Sequence, residues 1–99
     1  MMKANNGDIV TLVTTLGEVI GKVIENTPET ITLDKPRLFV PGEQGKGGFA
    51  PGICMTGEAE PESLVFNMSN VLTVTTSHQQ IADGWTSATT GIALASNDA

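Results

Sequence analysis

Between Asp8 and Pro36 the chain reads DIVTLVTTLGEVIGKVIENTPETITLDKP, three β-forming runs punctuated by two turn signals. The first run, about Ile9 to Thr15, places Val10 and Leu12 on one face and Ile9 and Val13 on the other. Both faces are therefore expected to be covered, by the fold or by a neighbouring subunit. Leu16-Gly17 makes a tight turn, because Gly17 takes positive φ at no steric cost. The second run, about Glu18 to Glu25, contains Gly21, which predicts a bulge or sharp bend. Asn26-Thr27-Pro28-Glu29 turns the chain again: Pro28 presets φ and the Asn26 side chain bonds to nearby backbone. The third run alternates cleanly, with Ile31 and Leu33 inward and Thr30, Thr32 and Asp34 outward; Leu38 to Val40 extend it after a break at Pro36. A continuous antiparallel meander of this kind points to a small β-barrel that works through its surfaces and loops.

The length of 99 residues implies one domain, 1–99, with one modest core. A chain of this size buries roughly 60–65% of its unfolded surface, enough to fold alone with little margin. Three Phe, one Trp and no Tyr leave Val, Ile and Leu to build that core. Five Lys and Arg against eleven Asp and Glu give a net charge of −6. That argues against broad, non-specific nucleic-acid binding, which needs a basic field, and leaves room for a local basic spot. Glu58, Glu60 and Glu62 form the one acidic cluster and read as a solvated loop. One Cys and one His give neither an intrachain disulfide nor a zinc site, and no cofactor is expected. Cys54 lies in the apolar setting Gly52-Ile53-Cys54-Met55 and reads as a buried, inert thiol. Nothing resembles a signal peptide or a membrane span, so the expected location is cytoplasmic.

Pro41 to Pro61 holds six glycines and three prolines. A connection this long is uncommon in a compact domain unless it is functional or mobile. Its apolar middle, Phe49 to Met55, is expected to pack on the barrel or on a neighbouring subunit. A fourth strand follows, Glu62 to Met68, with Leu64, Phe66 and Met68 on one face. Ser69-Asn70 turns into a fifth, Val71 to Thr76, with Leu72 and Val74 inward. Ser77 has the character of a helix N-cap. Ile81, Trp85 and Ala88 then stand at helical spacing in a C-terminal helical segment, about 77–90, weakened by Gly84 and several Thr.

No residue set reads as catalytic. Gly42-Glu43-Gln44-Gly45-Lys46-Gly47-Gly48 lacks the spacing, the following Ser or Thr and the strand-to-helix setting of a phosphate loop. His78 has no evident nucleophile and supporting carboxylate beside it, and reads as a helix-start residue. Trp85 reads as the anchor of the helix rather than a base-stacking platform.

The runs Val10-Thr11-Leu12-Val13, Leu16 to Val23 and Ile31-Thr32-Leu33-Asp34 resemble the first motif of the Sm/Sm-like (LSm) family, including its glycine at the second-strand bend. Val65 to Leu72 resembles a degenerate second motif. The glycine-rich segment and the C-terminal part are similar to small Sm-like proteins encoded by marine bacteriophages, whose location would be the host cytoplasm. The resemblance covers about Asp8 to Thr76. It implies an all-β, SH3-like, strongly bent five-stranded antiparallel barrel over about 8–76. A long Gly/Pro-rich loop, about 41–61, would separate strands 3 and 4, with a short helix at the C-terminus. Asn26 and Thr30 fall where the family's RNA pocket has Asp and Asn, Pro28 falls at its stacking position, and Met68-Ser69 lies near its Arg-Gly.

The resemblance further implies a homo-oligomeric ring closed by strand pairing between subunits, near Met68, Val71, Leu72 and Val74. The expected function is binding of single-stranded RNA in RNA metabolism or regulation. The candidate contacts are Asn26, Thr27, Pro28 and Thr30 in one turn and Ser69 and Asn70 in the other, with Lys22 and Lys46 supplying charge. The other reading is a structural or protein-interaction ring that binds no nucleic acid and offers Phe49, Ile53 and Met55 to partners. No enzyme activity and no membrane partner are expected.

Overall fold

The computed structural model describes residues 4–43, 47–54 and 56–91. The elements run β1 (Ile9–Thr14), β2 (Gly17–Asn26), β3 (Thr30–Pro41), β4 (Gly47–Phe49), β5 (Ser63–Asn67), a 3-10 turn at Met68–Asn70, β6 (Val71–Thr76) and α1 (Gln79–Thr90). Every pairing is antiparallel, in the order β4-β3-β2-β1-β6, with β5 also on β3. The result is a small, mostly β domain: an open antiparallel sheet with one C-terminal helix.

The sheet bends where its ladders slip. Between β2 and β3 the partners step from Ile20↔Arg37 to Lys22↔Asp34, so Gly21 faces two residues, Lys35 and Pro36. Two residues against one is a bulge, which adds twist and bend. Pro36 fits inside a strand here because the bulge needs no donor from it. The strand therefore continues through Pro36 instead of breaking, and Lys35 takes the turn at φ 46. Gly21 is required by proximity: a Cβ there would stand 2.9 Å from Leu33 Cβ. Gly17, at φ 136, closes the β1–β2 hairpin.

Val10, Leu12, Val19, Val23, Ile31, Leu33 and Val74 fill the interior, with Phe66, Met68 and Val71 packed against them. Each such buried aliphatic side chain contributes about 1.5–3 kcal/mol. The faces read from the sequence hold for Val10 and Leu12 in β1 and for Ile31 and Leu33 in β3. It fails at Leu72, which is 69% exposed. The cause is a second slip: Val13 pairs with Thr73 but Thr14 with Val71, leaving Leu72 as the extra residue of a bulge.

The helix lies on the outer face of the sheet. Its one buried residue is Trp85, while Ile81 is half-buried and Ala88 exposed. His78 rather than Ser77 stands at the N-cap, without a side-chain bond. The Ser77 hydroxyl is instead buried against Thr11 Oγ1 at 2.8 Å. The long connection also differs from expectation. It contributes a sixth strand, β4, and beyond it the chain stays on β3: Ala50 N–H donates to Leu38 O and Leu38 N–H to Gly52 O. Cys54 is exposed, not buried.

Candidate ligand groove

The β2–β3 turn and the β5–β6 turn are far apart in sequence and adjacent in space. Thr30 pairs with Asn67 across β3 and β5, and Met68 N–H donates to Glu29 O at 2.9 Å. Beside them lies a groove of about 290 Å³, walled by Asn26, Thr27 and Pro28 on one side and by Met68 and Val71 to Val74 on the other. Among the described residues that line it, none carries a charged side chain.

The polar groups of the two turns are largely engaged in shaping them. Thr27 Oγ1 lies 3.0 Å from Thr30 Oγ1 and accepts from the Thr30 N–H at 3.0 Å. Asn26 Nδ2 donates to Ala4 O at 3.0 Å. Asn67 Oδ1, which sequence reasoning did not single out, accepts from the Ser69 N–H and hydroxyl. An Asn before a short helical turn is the signal that would have found it. Pro28 is exposed and offers an apolar ring rather than an aromatic one.

Of the other candidates, Lys22 is not at the turns. Its ammonium stands 5.9 Å from the Trp85 ring centroid on the outer face, a cation–π distance. It lies there because β2 alternation points residues 20 and 22 outward, under α1. Lys46 lies outside the described residues, as does Met55. Among the four interface candidates only Leu72 presents its side chain; Val74 is 3% exposed and Met68 and Val71 pack on the core.

A larger groove, about 610 Å³, lies on the outer face between α1 and the sheet. Val13, Ile20, Phe39 and Ile81 give its apolar wall, and Glu18 and His78 reach it. Ser77 borders it, and its hydroxyl lies 2.8 Å from Thr11 Oγ1. Among the described residues no three His, Cys, Asp or Glu side chains gather to hold a metal ion. Among them, too, no helix is long and apolar enough to cross a membrane. No protein-family model matches this chain, and no curated protein matches it.

Proposed function

We propose that the chain is an Sm-like barrel that works as a homo-oligomeric ring and binds single-stranded RNA at the groove between its two neighbouring turns. The observation that carries the reading is the placement of Asn26 to Pro28, three of the RNA candidates, beside Met68 and Val71 to Val74; Thr30, Ser69 and Asn70 do not line this groove. The strand order β6-β1-β2-β3-β5, with a 3-10 turn between β5 and β6, supports an Sm-like arrangement. Ring assembly is supported by the edges. Among the described residues β5 and β6 each pair with one strand only, and neither SLVFN nor VLTVTT contains a charge or a proline. Edge strands that stay single are ordinarily blunted by such residues. Val65, 65% exposed, and Leu72 are the apolar side chains these two strands leave outside.

A second reading, a ring that binds protein and no nucleic acid, is favoured by the uncharged groove wall and by the net −6 of each chain, which a ring multiplies. Fluorescence anisotropy with short U-rich and A-rich RNAs, at low and moderate salt, decides between them. Saturable binding that weakens with salt supports the RNA reading. No binding at low salt removes it in favour of the protein-interaction ring.

A further inference from the structure

We propose that α1 is a clasp for Phe49 to Gly52 of the long connection between β3 and β5: helix and segment dock and release as one cooperative unit while the rest of the sheet stays folded. Phe49 meets α1 directly, and Glu62, at the end of the connection, reaches α1 only through Lys35 of β3. Phe49 sits between Phe39, ring centroids 5.6 Å apart and edge-on, and Gly84, where a Cβ would stand 3.0 Å from the Phe49 ring. Glu62 O accepts from the Lys35 N–H at 2.7 Å, and the Lys35 carbonyl accepts from the Trp85 indole N–H at 2.9 Å.

The helix has little stability of its own. It has 12 residues, no side-chain N-cap bond, no acidic residue in its first turn and no basic residue in its last. Gly84 interrupts it, and Thr86, Thr89 and Thr90 bond back to carbonyls within the helix. Isolated helices of this length and composition are unstable in water, so α1 exists by docking, and Trp85 is its one buried anchor. Among the described residues β4, three residues long, pairs with β3 alone. Two weak elements that share contacts and lie outside the main core are the material of a local unfolding unit. The inference does not depend on the ring or on RNA.

Native-state hydrogen exchange on the full chain tests it, in wild type, Trp85→Phe and Phe49→Ala. The reporters are the amides of Ala82 in α1, Leu38 and Ala50 at the connection, and Thr11 and Ile20 in the rest of the sheet. Trp85→Phe, made on the helix, should accelerate Leu38 and Ala50 by the same factor as Ala82, about tenfold, as for an acceptor left unpaired. Phe49→Ala, made on the connection, should accelerate Ala82 as well. Thr11 and Ile20 should be unchanged in both. If each variant accelerates only its own segment, the clasp is wrong. It is equally wrong if both variants accelerate Thr11 and Ile20 with the rest, because α1 then belongs to a single global unit.

Discussion

The indole N–H of Trp85 donates to the carbonyl oxygen of Lys35 at 2.9 Å, joining the helix to the bulge of β3 across 50 residues of sequence. The indole is 2% exposed, and Lys35 holds the positive φ that lets β3 pass Pro36. Trp85→Phe keeps most of the apolar volume and removes the donor. Urea unfolding should show a loss of about 1–3 kcal/mol, the cost of an unpaired part-buried acceptor. Trp85→Ala should cost about 3–5 kcal/mol.

At Gly21 the backbone of β2 presses on Leu33. A methyl group there would meet Leu33 Cβ at 2.9 Å and Asp34 O at 3.2 Å. Gly21→Ala should destabilise by about 1–3 kcal/mol through overpacking. Gly48→Ala is the control: among the described residues nothing lies within 4 Å of a Cβ at that position, so its stability in urea should stay within about 0.5 kcal/mol of wild type.

Leu72 separates folding from assembly. It is exposed and stands in a bulge, so Leu72→Lys should change the stability of the single subunit by no more than about 0.5 kcal/mol. On a free, uncharged edge the same lysine should block strand pairing between subunits. Size-exclusion chromatography should show the variant eluting later than wild type, with an unchanged circular dichroism spectrum.

Asn26→Ala addresses the groove. Among the described residues its side chain makes one bond, to Ala4 O, which is exposed, and the fold should lose only about 0.5–1.5 kcal/mol with it. If the turn contacts RNA, binding should weaken several-fold while the oligomer mass stays that of wild type. An unchanged affinity would remove Asn26 from the binding surface.

Much of the sheet is legible in the sequence because local pattern and tertiary packing agree there. The alternation of Val10 and Leu12, of Ile31 and Leu33, and the glycines at 17 and 21 each name a face or a bend without outside help. What escaped depended on distant partners. Leu72 reads as inward by period two, but the slip against Val13 and Thr14 turns it out. Gly47-Gly48-Phe49 has no strand signature and is a strand because Phe49 meets Phe39 and Gly84. Pro36 reads as a break, and only the bulge opposite Gly21 makes it part of β3. For the groove, the two turns were found by their polar residues. The bonds that occupy those residues, Thr27 with Thr30 and Asn67 with Ser69, were not visible in composition.

The central claim is that the two uncharged edges of one subunit are completed by other copies. Multi-angle light scattering of the wild-type chain at micromolar concentration measures this without labels or substitutions. The account predicts one species at several times the 10.3 kDa chain mass. A monodisperse species at 10.3 kDa would contradict it.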